Sequence, residues 1–360
     1  LNPNLIVSAI IAIVFSLICF ISVDINNTVD YSYVSYFSSF CVWLSGAYFV
    51  GVCIRGYHGI FNFKNLTYYV LGVCFAQCIL ALLIDNFPSF DAFVNLFVRQ
   101  GREFFKDVDR LYGIGAALDP AGVRFAIVLI MTSALICTDE SIRNNRGVLT
   151  IILIAFFVVA LIGNIISRTT IVGVVLAILY FVLFSGLFRL KILFSSINLG
   201  IIFAFILVLV FAISSYLYSV SEEFYSQIRF AFEGFFNWME TGEWRTSSTD
   251  KLNNEMWIWP EDLKTWIIGS GIFGSFVYST DIGYCRFILY SGLAGFVTFA
   301  FLFVYNAFAF MNKVPRYWAM FILLGLLSFI IWVKVATDIF FIYALFYSVD
   351  EFVNKEDSLQ

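Results

Sequence analysis

Arginine presents a planar, permanently charged fork of donors that matches the oxygens of a phosphate two at a time. Arg124, Arg168 and Arg286, together with Lys334, stand where a bilayer-inserted sequence has little reason to place a cation. Arg124 opens an apolar stretch, Arg168 falls in the two-residue turn Ser167-Arg168 between two others, Arg286 lies just inside a further one, and Lys334 is near the end of the next. A cation within a span costs about 2.5 to 3.5 kcal/mol on insertion scales and faces protein or a wet cavity. A pyrophosphate at the membrane surface is an anion that fits such a set. Taken singly, each cation has another explanation: snorkelling to headgroups, or pairing with an acid such as Asp119, Asp281 or Asp338. Carboxylates able to take a proton from an attacking hydroxyl are Asp281, Glu255, Glu243 and Asp119, with Asp281 first because it lies five residues before Arg286.

The elements that must position these side chains are membrane spans. The chain has 360 residues, of which 61% are hydrophobic and 13% charged, whereas soluble domains carry about 25% charged residues. Apolar runs of about 20 residues recur from end to end, each long enough to cross a hydrocarbon core of about 30 Å as a helix. The runs are continuous rather than alternating, which excludes a barrel. The reading is an all-α polytopic membrane protein, one transmembrane domain over 1–360 with about ten spans. They fall near 5–23, 34–54, 66–86, 121–138, 148–166, 169–188, 198–218, 284–310, 318–334 and 337–349. Lys334 and Asp338 interrupt the last stretch, which is open to reading as two short helices, a re-entrant hairpin or one kinked helix.

Basic residues mark cytoplasmic loops. Arg55 and Lys64, Arg143 and Arg146, Arg189 and Lys191, and Lys313 and Arg316 lie in alternate loops, while 24–33 carries Asp24 and Asp30 and no basic residue. With the tenth span counted, both termini are cytoplasmic, and the long segments 87–120 and 219–283 are outside. In 222–239, Phe224, Ile228, Phe232, Phe235 and Met239 recur at helical spacing among acids, the pattern of an interfacial helix. The stretch 93–111 does so more loosely. Trp238, Trp244, Trp257, Trp259 and Trp266 share the second long loop, as an aromatic belt or as platforms for sugar rings. Arg99, Arg102, Lys106 and Arg110 form a further basic set on the first, either a solvated face or a contact for an acidic or polyhydroxyl substrate.

The seven cysteines lie in or beside apolar runs without metal-like spacing and read as small apolar residues. Nucleic acid is not an expected partner. The first residue is Leu1, and the first apolar run lacks the basic flank and cleavage site of a signal peptide.

Trp266-Ile-Ile-Gly269-Ser-Gly271-Ile-Phe273-Gly274 is followed by Thr280-Asp281-Ile-Gly283-Tyr284-Cys-Arg286 and then by Gly292-Leu-Ala-Gly295. With the Ser167-Arg168-Thr169 turn and the segment from Arg110-x-x-Gly113 to Asp119-Pro-Ala-Gly-Val-Arg124, these elements resemble the bacterial O-antigen polymerase family, which shares its design with the O-antigen ligases. The resemblance covers most of the chain in topology. It implies a GT-C-like architecture in the bacterial inner membrane and a metal-independent transfer at its periplasmic face that needs no cofactor. The donor would be a polyprenyl-pyrophosphate-linked oligosaccharide and the acceptor a lipid-linked repeat unit. Membrane lipids, a chain-length regulator and a flippase are the partners it implies. On this reading Asp281, Arg286 and Arg168 act on the reacting groups, and Arg124, Arg110, Lys334, Tyr284 and Trp266 bind substrate. Ligases of this kind carry a histidine in the large outer loop, whereas His58 is the chain's only histidine and lies in a short loop, so a polymerase is favoured. A transporter or flippase for a lipid-linked oligosaccharide, and a membrane scaffold, are the competing classes.

Overall fold

A computed structural model describes residues 2–98, 111–186, 194–274 and 278–353. Arg99, Arg102, Lys106, Arg110, Arg189 and Lys191 lie outside the described residues. The helices are α1 (Pro3–Ile25), α2 (Tyr36–His58), α3 (Phe63–Asn86), α4 (Pro88–Phe97), α5 (Leu118–Thr138), α6 (Glu140–Asn144), α7 (Arg146–Ile166), α8 (Thr170–Phe184) and α9 (Phe194–Val220). They continue as α10 (Glu222–Ala231), α11 (Glu233–Thr241), α12 (Ser247–Glu255), α13 (Leu263–Ile268), α14 (Gly283–Lys313), α15 (Trp318–Ile331), α16 (Phe340–Phe346) and α17 (Asp350–Val353). No strand occurs among the described residues. Seven helices there are long and apolar enough to cross a membrane: α1, α2, α3, α5, α7, α9 and α14. The chain is therefore an all-α, multi-pass membrane protein.

Local chemistry sets several helix starts. Asn2 caps α1 by accepting from the Asn4 amide at 3.1 Å, with Pro3 at the first helical position. Asn145 caps α7 and Ser221 caps α10 in the same manner, each at 3.2 Å. Two sequence expectations are refined. The amphipathic stretch 222–239 is two helices that meet at Phe232. The stretch 337–349 contains only α16, seven residues and about 10 Å long, joined to α15 by non-helical backbone; two short helices is the arrangement found.

The chain divides into two compact units, Leu1–Leu66 with Ser247–Gln360, and Thr67–Thr246. In the first, α1 and α14 pack along each other, with α2 and α15 alongside. A buried polar set fastens them: Ser8 donates to the Asn306 side-chain oxygen at 3.1 Å, and the Tyr347 hydroxyl donates to the same oxygen at 2.8 Å. Such bonds hold helices together where hydrophobicity gives no preference for protein over lipid. At one end of this unit Arg55 pairs with Asp350 at 2.7 Å, and the Phe63 ring lies tilted against Tyr317 with centres 4.4 Å apart, near Lys313 and Arg316 in the chain. The opposite end carries the loop 26–35, the glycine-rich segment 269–274, the start of α14 and the link after α15.

In the second unit α5 is the central helix, almost entirely buried between α7 and α8. Gly173 lets α8 approach so closely that a Cβ there would stand 2.1 Å from the Ala126 Cα. The segment leading to α5 is clamped from outside: Gln77 donates to the Ala116 carbonyl at 2.5 Å, and the Tyr112 hydroxyl donates to the buried Asp91 carboxylate at 2.8 Å.

Candidate functional site

Each unit places an arginine at a helix end. In the second unit α7 ends at Ile166, where the Ser167 amide donates to the Gly163 carbonyl at 2.8 Å, and α8 begins three residues further on. The Ser167-Arg168-Thr169 turn presses on the first turn of α5, where a Cβ at Gly122 would meet the Ser167 hydroxyl at 2.5 Å. The Thr169 hydroxyl donates to Asp119 at 2.5 Å. Asp119 therefore fastens the turn to α5, which accounts for it without a role as a base. Arg124 follows on α5, half-buried and at the same end of the unit as Arg168.

The Arg168 guanidinium donates to Glu233 at 2.7 Å, and its central carbon lies 3.8 Å from the centre of the Phe230 ring. Both contacts come from the α10–α11 hairpin, which is docked on α7 through the Asn164 amide donating to the Ala231 carbonyl at 3.1 Å. The pair is largely shielded, with side chains 15% and 25% exposed. Glu233 is one of the acids interspersed among the apolar residues of 222–239. Its pairing with a residue 65 positions away leaves no local signal.

In the first unit Arg286 occupies the first turn of α14. Its guanidinium donates to the Phe273 carbonyl at 2.6 Å and stacks on the Phe273 ring at 4.0 Å, a cation–π contact. Asp281 is exposed, two residues before α14 begins. The preceding Thr280 donates to the Met256 carbonyl at 2.6 Å, fixing the approach to α14. Tyr284 donates its hydroxyl to the Phe329 carbonyl at 2.9 Å, which ties α14 to α15. A Cβ at Gly283 would lie 2.8 Å from the Val335 carbonyl oxygen, so the link carrying the half-buried Lys334 runs against the start of α14. Arg286, Tyr284, Asp281 and Lys334 thus share one end of this unit. Trp266 stacks on Trp259 at 5.8 Å, and Trp259 stands 5.7 Å from Trp257, a half-exposed row of indoles in the same unit. Of the other carboxylates, Glu255 is exposed at the end of α12, and Glu243 pairs loosely with Arg245 at 3.4 Å. Among the described residues no group of three or more His, Cys, Asp or Glu side chains could hold a metal ion.

What holds the Phe273 loop under Arg286 is the loop 26–35. Asp30 accepts from the backbone amides of Phe273 at 2.6 Å and of Gly274, and from the Ser32 hydroxyl and amide. Asn26 donates to the Gly269 carbonyl at 2.9 Å and Thr28 to that of Gly271 at 2.7 Å. Partial burial pushes the Asp30 carboxyl upward, but the Ser32 hydroxyl and the amides of Gly274 and Phe273 outweigh it and hold its pKa below the usual aspartate value. A pKa depressed by folding contributes stability that is complete above the unfolded value of about 3.9 and is lost as pH falls through the folded one. Asp30→Asn should therefore loosen this loop at neutral pH and make little difference once the pH has fallen below the folded pKa, where the wild-type carboxyl is itself protonated. Protease cleavage of residues 269–274, measured against pH in both proteins, checks this; equal cleavage at neutral pH would remove Asp30 as the anchor.

The chain matches no family model, and comparison with curated proteins and with solved structures likewise finds no match.

Proposed function

We propose that this chain is a bacterial O-antigen or surface-polysaccharide polymerase, transferring a glycan from a polyprenyl-pyrophosphate donor to a lipid-linked repeat unit at the periplasmic face of the inner membrane. The observation that carries the reading is a guanidinium fixed at a helix end in each unit, against the face of an aromatic ring and beside tightly held backbone. Fixed cations stabilise charge that develops during a reaction more than charge already present in bulk water. In the transfer, the acceptor hydroxyl oxygen bonds to the anomeric carbon as the bond from that carbon to the pyrophosphate oxygen breaks. The leaving pyrophosphate takes the electron pair, facing a fixed guanidinium for which Arg286 is the candidate in the first unit and Arg168 in the second, and the hydroxyl proton passes to a carboxylate, for which the exposed Asp281 is the candidate. Arg124, Arg110, Lys334, Tyr284 and Trp266 complete the proposed substrate contacts. A chain-length regulator and a flippase are its proposed partners.

A second reading, a transporter for lipid-linked oligosaccharide, is favoured by one feature: α14 is broken at Gly292, and broken helices form the binding sites of many transporters. Proteoliposomes holding the purified protein and a lipid-linked repeat unit separate the two. The polymerase reading expects products of several repeats on one lipid carrier, whereas movement of single units across the bilayer without lengthening would establish the transporter. In cells, loss of the gene should leave single-repeat glycan; an unmodified lipid core would indicate a ligase instead.

A further inference from the structure

Within the second unit, α7 and α9 leave between them a groove of about 570 Å³. It runs from Thr150 through Val158 to Ile162 on α7, and along Ile202, Val210 and Ile213 on α9. Apart from Thr150 the lining is hydrocarbon. Twelve residues of helix rise by about 18 Å, which exceeds half of a hydrocarbon core of about 30 Å. Ile201 and Leu209, also on its wall, are exposed, so a chain could enter from the side. The Ile162 end lies about 9 Å along α7 from the Ser167-Arg168-Thr169 turn. The groove thus leads along a single helix to a cation, and the anion now on that cation is Glu233.

We propose that this groove binds the isoprenoid chain of a polyprenyl phosphate, with the phosphate taking the place of Glu233 on Arg168. The inference rests on the reading of the chain as a user of polyprenyl-linked substrates. One groove between two helices admits one hydrocarbon chain, which suits a single-chain lipid and not a phospholipid with two. Charge fixes the direction: the apolar channel has Arg168 beyond its Ile162 end. Glu233 is a resident anion that satisfies Arg168 until a phosphate arrives. Displacing it removes the Glu233 contact between the start of α11 and the turn, while the Asn164 bond to the Ala231 carbonyl keeps the end of α10 on α7.

The test uses the full-length protein in nanodiscs, with a polyprenyl phosphate as probe and phosphatidic acid as a two-chain competitor carrying the same headgroup, and reads bound lipid by native mass spectrometry. Val158→Trp and Val210→Trp fill the groove and should lower retained polyprenyl phosphate by about tenfold or more. Val208→Trp, on an exposed position outside the groove, should leave it unchanged. Arg168→Ala should lower it, Glu233→Gln should raise it, and phosphatidic acid should fail to displace it. Equal effects of Val158→Trp and Val208→Trp, displacement by phosphatidic acid, or unchanged or weaker binding in Glu233→Gln would overturn the proposal. Failure here is distinct from failure of the polymerase reading: polymer formation that needs Arg168 but ignores both groove variants sinks the groove alone, and groove-dependent binding without any polymer sinks the enzyme alone.

Discussion

Arg168→Ala is expected to abolish long-chain glycan while the protein remains in the membrane, with transfer falling by at least about a hundredfold, the scale on which loss of one donor to a developing oxyanion is felt. The effect should be severe because the guanidinium is held against the Phe230 face, a contact that remains when a phosphate replaces Glu233, so little reorganisation is needed as charge builds on the leaving group. Arg168→Lys keeps the charge but loses the two-pronged grip, so partial activity is expected. Glu233→Gln provides the control for a purely structural role. If Arg168 served only to clamp the α10–α11 hairpin, Glu233→Gln would cost as much as Arg168→Ala; if Arg168 meets phosphate, Glu233→Gln retains polymer. Arg286→Ala should be equally inactive, since it removes both the charge and the donor to the Phe273 carbonyl. Glycan ladders from cells carrying each variant, at matched protein levels in the membrane, provide the measurement. Normal ladders in both alanine variants would end the pyrophosphate-site reading.

Gly292→Ala and Gly269→Ala should each be among the most destabilising single-methyl additions in the chain. Gly292 interrupts α14 at φ +66° and ψ −176°, and Gly269 sits at φ +86° and ψ 179°. That region of backbone space is open almost only to glycine and costs other residues about 1–3 kcal/mol. The steric term adds to it. A Cβ on Gly292 would lie 2.2 Å from the Ile267 carbonyl oxygen, and one on Gly269 would lie 2.2 Å from that of Tyr290. The two backbones are in reciprocal contact, joined by the Ser270 and Gly271 amides donating to the Leu289 and Tyr290 carbonyls at 2.7 and 3.0 Å. The Ser22 hydroxyl also donates to the Tyr290 carbonyl at 2.7 Å. Losing this contact exposes carbonyls that the break has left without helical partners. A fall in midpoint of thermal unfolding in detergent is expected for both variants, against no fall for Gly72→Ala, whose Cβ meets nothing within 4 Å. Wild-type stability in Gly292→Ala would mean that α14 can close over the break.

The apolar runs made the helices legible because length and continuity of hydrophobic sequence are local properties. Arg168 and Arg286 were legible as well, through the cost of a cation near a span. Their surroundings were not. Glu233 reaches Arg168, and Asp30 reaches Phe273 and Gly274, from far away in sequence, and neither acid has a spacing that announces its partner. Asp119 looked like a possible base, and its bond from Thr169 came into view only with the packing of the turn on α5. The break at Gly292 escaped for a related reason: a glycine in an apolar run reads equally as a close helix contact, and its φ is set by the loop that crosses it. Phe232 separates α10 from α11 although its neighbours keep helical periodicity, with φ −114° and ψ 26°.

The break in α14 also divides the work of that helix. From Gly292 to Lys313 there are about 22 residues, or roughly 33 Å of helix, which by itself matches the hydrocarbon thickness. The stretch from Gly283 to Ser291 is surplus to the crossing. Arg286 belongs to that surplus stretch, so the lipid core need not accommodate its charge, and residues 283–291 can change without shortening the part of α14 that matches the bilayer.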